Sequence, residues 1–147
     1  MLIFNIENIT ALDIPVLAEI EREESMLCGW SENSLLSELK KENAIMLKAT
    51  DGGVICGFIT AEKVLDEVNI NNVAVNAQFR RNGVATALLK ELEAQTPDVK
   101  FYLLEVRESN APAISLYTSL GFEIAGKRKN FYYNPPEDAL IMIKGYW

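Results

Sequence analysis

Apolar residues recur along this chain in two rhythms, every second position and every third or fourth, and the switches between them mark its elements. Leu2–Ile6 reads as a first strand. A helix follows, capped by Thr10 or Asp13, with Pro15 in its first turn and Ile14, Leu17, Ala18 and Ile20 as its apolar stripe. Ser31, just after Trp30, is a second N-cap, ahead of Leu35, Leu36 and Leu39 on one helix face. Ala44–Thr50 and Val54–Val64 read as strands around the turn Asp51-Gly52-Gly53, a hairpin signal. Glu67–Asn76 is the third strand of that meander. Val84, Ala85, Leu88, Leu89 and Leu92 then stand at helical spacing within Gly83–Ala94. Lys100–Arg107 is an apolar strand, and Asn110 caps a short helix carrying Ala113, Ile114, Leu116 and Tyr117, closed by Gly121. Two strands, Phe122–Arg128 and Ala139–Lys144, flank a loop containing Asn134-Pro135-Pro136. The order βααβββαβαββ predicts an α/β fold, a mixed sheet with helices on both faces.

One strand breaks its own rhythm. Val68 and Ile70 share one parity, while Val73 and Val75 share the other. A period of two puts both pairs on one face only if a residue is inserted between them, which predicts a β-bulge near Asn71-Asn72. A strand buried on both faces accounts for the pattern equally well.

Composition narrows the chemistry. The 147 residues, 49% apolar and 24% charged, fit one domain spanning 1–147. No run approaches the roughly 20 apolar residues of a membrane span, and the start lacks the basic region of a signal peptide. Cys28 and Cys56 have no partner spacing and read as small buried residues, which fits a reducing cytoplasm. Histidine is absent. That removes Ser-His-Asp and Cys-His nucleophiles in their usual forms, and nearly all zinc and non-haem iron sites. Proton transfer falls to carboxylate, tyrosine, lysine, cysteine or water. A formal charge of −7 argues against a general nucleic-acid binder.

Against that acidic background one segment suits an anion. Val73-Ala74-Val75 runs through a short loop, Arg80-Arg81-Asn82, into the helix start Gly83-Val84-Ala85-Thr86. The first turn of a helix offers unpaired N–H groups and a positive dipole end. Gly83 and Ala85 leave room for a pyrophosphate, and Arg80 and Arg81 add charge where it would arrive. The segment has neither a P-loop ending nor Rossmann glycine spacing, and a solvated basic turn would look the same.

The run Arg80-Arg81-Asn82-Gly83-Val84-Ala85 resembles the acetyl-CoA signature of the GNAT superfamily of N-acetyltransferases. Over nearly its whole length the chain is similar to the bacterial ribosomal-protein-alanine N-acetyltransferases of that superfamily, the RimI type. The matching stretches include Gly29-Trp30-Ser31, Val64-Leu65-Asp66-Glu67, Asn72-Val73-Ala74-Val75, Leu104 to Asn110, Ile114 to Phe122, Asn130-Phe131-Tyr132 and Glu137-Asp138-Ala139. The resemblance implies the GNAT fold, with a mostly antiparallel sheet, and acetyl-CoA as co-substrate without a metal. It implies that the main chain of Val73, Ala74 and Val75 holds the acetyl and pantetheine part. By the same resemblance, residues 81–86 cradle the pyrophosphate, Asn110 bonds the cofactor, Glu105 acts as general base and Tyr117 as general acid. Ala85 stands where many members have glycine. The C-terminal Tyr146-Trp147 matches nothing functional.

The implied reaction, direct attack by a neutral amine on a thioester, needs neither histidine nor metal. A protein α-amine, with a reference pKa near ~8 against ~10.4 for lysine, supplies the neutral nucleophile far more often. Glu105, with a reference near ~4.3, is a weak base for that proton unless its apolar neighbours raise it or a water relays the transfer. A thiolate at ~8.5 is already less basic than tyrosine at ~10, so the better physical role for Tyr117 is a hydrogen bond to the developing charge on sulfur. On residues alone, Glu105 better suits an ion pair with Arg107 or another strand, and Tyr117 a packing role between the last helix and the sheet. Tyr132 and Tyr133 with the Asn134-Pro135-Pro136 loop line a peptide entrance or form a plain surface loop. The resemblance implies a ribosomal protein's N-terminal alanine as acceptor, with cytoplasmic location and neither membrane nor direct nucleic-acid contact. Lysine side chains or small amines are the alternative acceptors, and a non-catalytic acetyl-CoA-binding module is a third reading.

Overall fold

A computed structural model describes residues 4–25, 30–133 and 135–145, and among these hydrogen-bond ladders join seven strands into one sheet. Leu2, Ile3, Cys28, Gly29, Asn134, Tyr146 and Trp147 lie outside the described residues. In chain order the elements are β1 (Asn5–Asn8), α1 (Ile14–Ser25), α2 (Glu32–Leu39), β2 (Ala44–Asp51), β3 (Val54–Val64), β4 (Glu67–Val75), α3 (Val84–Gln95), β5 (Phe101–Arg107), α4 (Ala111–Ser119), β6 (Glu123–Tyr133) and β7 (Pro136–Gly145). The sheet order is β1-β2-β3-β4-β5-β7-β6. Only β4 and β5 run parallel; every other neighbouring pair is antiparallel.

The helical stripes decide the layers. Ile14, Leu17, Ala18 and Ile20 of α1 and Leu35 of α2 bury against Met46, Phe58 and Ala74 on one face of the sheet. Val84, Leu88, Leu89 and Leu92 of α3, with Tyr117 of α4, bury against Leu47, Ile59, Ala61 and Val68 on the other. Each large side chain so buried is worth roughly 1.5–3 kcal/mol. The caps are as their residue types require. Ser31 accepts from the Ser34 amide at 3.2 Å, and Asn110 from the Ala113 amide at 3.2 Å.

The rhythm break in β4 is a bulge. Thr60 faces Asn72 and Ala61 faces Ile70, so Asn71 is the inserted residue. Val68 and Ile70 therefore share a face with Val73 and Val75, all four joining the α3 side, while Ala74 joins the α1 side. The Asn71 amide donates to Glu38 and to Glu62, both at 3.3 Å, and Lys41 bridges those two carboxylates at 2.9 and 2.8 Å. Burial pushes the Glu38 carboxyl above its ordinary range.

Three strands depart from the sequence reading. β6 extends to Tyr133 and β7 starts at Pro136, so strand takes up most of the expected loop and Tyr132 belongs to it. Lys127 to Asn130 show no apolar alternation because they sit on an exposed, irregular edge, where Asn130 takes φ +54°. Pro136 is tolerated as the first residue of its strand. The first strand pairs over Asn5–Asn8, further along than Leu2–Ile6, its polar residues carried into the ladder opposite Leu47 to Thr50 of β2.

Thr10 and Asp13 both serve the entry to α1. The Asp13 carboxylate accepts from the Thr10 amide at 2.8 Å, and Lys48 of β2 reaches both its oxygens at 2.9 Å. Burial pushes Asp13 up, but the hydrogen bonds from Lys48 and Thr10 outweigh it and hold the carboxyl below its ordinary 3.8. We expect Asp13→Asn to cost about 1–3 kcal/mol near neutral pH. A lowered folded pKa adds stability that is present above the unfolded value and lost as pH falls through the folded one, so the deficit should shrink towards about pH 3. Urea melts of both proteins at the two pH values check this; a deficit of constant size would contradict it.

Candidate active site

The β4–β5 ladder is short. It joins Glu67 to Phe101 and ends at Ile70 and Leu104, immediately before the bulge. Beyond that point β4 stays paired with β3 as far as Val75, and β5 stays paired with β7 as far as Arg107. The two halves of the sheet thus diverge, because a bulge bends its strand and sharpens the local twist. A cavity of about 1180 Å³ occupies the opening, with Asn72, Val73 and Val75 on one wall and Glu105, Val106 and Arg107 on the other.

At the end of β4 the chain makes a single 3-10 turn, Ala77–Phe79, and a basic loop before α3. Arg81 has φ +66° and Gly83 has φ +79°. A left-handed arginine costs about 1–2 kcal/mol, and such strain tends to collect where main-chain groups must point at a ligand. A Cβ on Gly83 would meet nothing within 4 Å, so the glycine opens onto free space at the helix start. Arg80, Arg81, Gly83, Val84, Ala85 and Thr86 all line the cavity. Asn82 does not; its amide donates to the Arg80 carbonyl at 3.1 Å and braces the loop from behind. The Ala74 side chain is turned to the α1 face, leaving only its main chain for the cavity. Small residues, a helix N-terminus and two arginines fit a pyrophosphate group.

Glu105 and Tyr117 line the same cavity but reach it from opposite faces of the sheet. Leu104 and Val106 pack on the α3 side, so alternation places Glu105 on the α1 side. Tyr117 comes from α4, 8% exposed, its ring edge-on to Phe122 with centroids 5.8 Å apart. The Glu105 carboxylate lies 3.5 Å from Nε of Arg128 on β6. Arg107 pairs instead with Glu137 at 3.2 Å. Hydrogen bonds from Ser109, and behind them the bond from Arg107, hold the Glu137 carboxyl below its ordinary range against the opposing effect of burial. Asn110, the cap of α4, and Tyr132 complete the expected residues on the wall.

Sequence reasoning passed over three contributors. Glu21 is 5% exposed and lines the cavity from α1; a carboxylate four positions after Leu17 and three after Ala18, inside an apolar stripe, was its signal. Trp30 lines the cavity beside it. Gly57 sits under the first turn of α3, where a Cβ would lie 2.7 Å from the Ala74 carbonyl and 2.8 Å from Val84 Cγ1. A glycine inside an apolar strand marks such a close approach.

The chain as a whole is similar to known proteins. The chain belongs to the acetyltransferase (GNAT) family, whose model matches residues 6–122, and it is an acetyl-CoA-dependent N-acetyltransferase. It is 37% identical over 141 residues to the [ribosomal protein bS18]-alanine N-acetyltransferase of Escherichia coli K12, covering 93% of this chain and 94% of that protein. The crystal structure of the E. coli ribosomal-protein-S18-alanine N-acetyltransferase superposes with a TM-score of 0.88 at 35% identity, over 97% of this chain and 94% of that one. A GNAT acetyltransferase from Elizabethkingia anophelis, solved with acetyl-CoA bound, shares the fold with a TM-score of 0.79 at 20% identity, over 97% and 98% of the two chains.

Two glycines should separate fold from binding. Gly57→Ala forces main chain apart and should cost about 1–3 kcal/mol of stability. At Gly83 a Cβ meets no atom within 4 Å, so the stability cost of Gly83→Glu should stay near the ~1–2 kcal/mol of a left-handed residue, while acetyl-CoA affinity falls severely through bulk and like charge. Calorimetric titration together with thermal melts decides; unchanged affinity in Gly83→Glu would remove the loop from the site.

Proposed function

We propose that this enzyme transfers the acetyl group of acetyl-CoA to the N-terminal amine of a ribosomal protein in the cytoplasm, an N-terminal alanine of the bS18 kind. The observation that carries the reading is the cavity through the sheet, with Glu105 entering from the α1 side and Tyr117 from the α4 side. In this reading the acceptor approaches past α1, Trp30 and Tyr132, and the thioester approaches past α3 and α4. The main chain of Val73, Ala74 and Val75 binds the pantetheine arm along the edge that has left the β5 ladder, much as an added strand would. The N-terminus of α3 with Arg80, Arg81 and residues 83–86 holds the pyrophosphate, Asn82 keeps that loop in shape, and Asn110 bonds the cofactor beside the start of α4.

Chemistry then follows from position. The neutral amine attacks the thioester carbonyl carbon, the carbon–sulfur bond breaks, and the thiolate leaves. Glu105 takes the amine proton directly or through one water. Tyr117 donates a hydrogen bond to the sulfur as charge builds there. An α-amine near ~8 is neutral far more often at pH 7 than a lysine near ~10.4, which favours N-termini as acceptors.

The test uses purified protein, acetyl-CoA and peptides beginning with alanine, against a blocked peptide with an internal lysine, read by mass spectrometry. Acetylation should fall on the N-terminal amine; faster modification of the lysine or of a polyamine would overturn the reading. Glu105→Gln should lower turnover by roughly 10²–10⁴-fold with acetyl-CoA affinity retained, the defect shrinking as pH rises towards the amine's own pKa. Tyr117→Phe should also slow turnover, and a thioester with a more acidic thiol should rescue it but not Glu105→Gln. Wild-type rates in both variants would make these residues structural.

A further inference from the structure

The tip of the β6–β7 hairpin, which carries Tyr132, has little core beneath it. Phe131 is 44% exposed and Tyr133 82%, and the pairing is irregular between Arg128 and Tyr132. Tyr132 is half-buried between these two exposed neighbours, so apolar burial alone does not fix its ring. Polar contacts from the end of β5 add to it. The Arg107 guanidinium lies 4.2 Å above the centroid of that ring. Its Nη1 donates to the Pro135 carbonyl at 3.0 Å and to Glu137 at 3.2 Å. The other Glu137 oxygen accepts from the Ser109 amide at 2.6 Å, next to the cap of α4. Phe131 closes the far side, edge-on to Tyr132 with centroids 5.1 Å apart.

Arg107 follows Glu105 by two positions on β5, so both point to the same face, and both line the cavity with Tyr132. One side chain thus ties the hairpin's turn, its aromatic wall and the approach to α4 to the strand that carries the proton acceptor. We propose that Arg107 is a positioning residue for the acceptor: acting through Tyr132, it sets where the aromatic wall stands relative to Glu105. A planar cation that stacks on a ring while its fork binds a carbonyl and a carboxylate does this, and a lysine does only part of it. The proposal rests on acceptor entry past Tyr132, as read above.

The test compares Arg107→Gln, Arg107→Lys, Tyr132→Leu and the double variant Arg107→Gln with Tyr132→Leu, each as full-length protein. Arg107→Gln and Tyr132→Leu should each raise the KM for an alanine-starting peptide about tenfold, with kcat and the acetyl-CoA Kd changed by less than about twofold. The double variant should match Tyr132→Leu alone, because Arg107 works through the ring. Arg107→Lys should recover part of the KM loss. Multiplied effects, about a hundredfold, would mean that Arg107 acts independently of the ring, and a kcat loss at unchanged KM would place it in the chemistry; either result overturns the proposal. Amide exchange without substrates reads the clamp itself. Residues 131–133 should exchange faster in Arg107→Gln than in the unaltered protein, and equal rates would overturn the proposal. Failure of the unaltered enzyme to acetylate the peptide at all would count against the acceptor assignment, a different result from equal exchange rates.

Discussion

One inserted residue governs the layout of this protein. Main-chain N–H and C=O groups must be paired or solvated, and a parallel ladder pairs them only while two strands stay about 4.8 Å apart. Asn71 ends that condition for β4 and β5 directly after Ile70 and Leu104. Past it, one edge of β4 and one edge of β5 are free to pair with something other than each other. Neither strand loses its outer partner, so the opening stays anchored on both sides by β3 and β7. The Asn71 side chain is tied down by Glu38 and Glu62, with Lys41 between them.

Everything placed around the opening follows from which face of the sheet it occupies. Alternation along β5 sends Leu104 and Val106 into the α3 core and Glu105 and Arg107 the other way. Gly57 lets α3 begin close against β3, which brings the basic loop to the mouth of the gap. Arg80 and Arg81 gather at the end where phosphates would lie, while Glu21 and Glu105 line the side past α1. An acyl donor and an amine can then meet through the sheet without sharing an entrance, which suits direct transfer with no covalent enzyme intermediate.

Much of this was legible in the residues, for identifiable reasons. The order of eleven elements followed from apolar rhythm, and the parity slip between Ile70 and Val73 pointed to the bulge near Asn71-Asn72, although a strand buried on both faces suited the pattern as well until the β3–β4 register decided it. The basic loop running into the start of α3 was visible because helix termini have fixed chemistry. The opposed entry of Glu105 and Tyr117 was not, since it depends on where the parallel ladder stops, a tertiary fact. The length of β6 escaped because its edge residues, Lys127 to Asn130, are solvated and carry no burial signal. Arg107's partners, Pro135 and Glu137, lie 28 and 30 residues away, and charged residues at that separation could have paired in many ways. Asn82, expected among the residues that cradle the pyrophosphate, is exposed and donates to the Arg80 carbonyl, because a short polar side chain satisfies its own loop first.

The central claim is that the parted strands are where the cofactor binds. Amide hydrogen exchange with and without acetyl-CoA tests it most directly. The account predicts slowed exchange in two segments, the gap-facing amides of residues 72–75 and the helix start at residues 83–86, with residues 67–70 unchanged because their ladder to β5 is already closed. Protection confined to the helix start, with residues 72–75 exchanging as before, would contradict it.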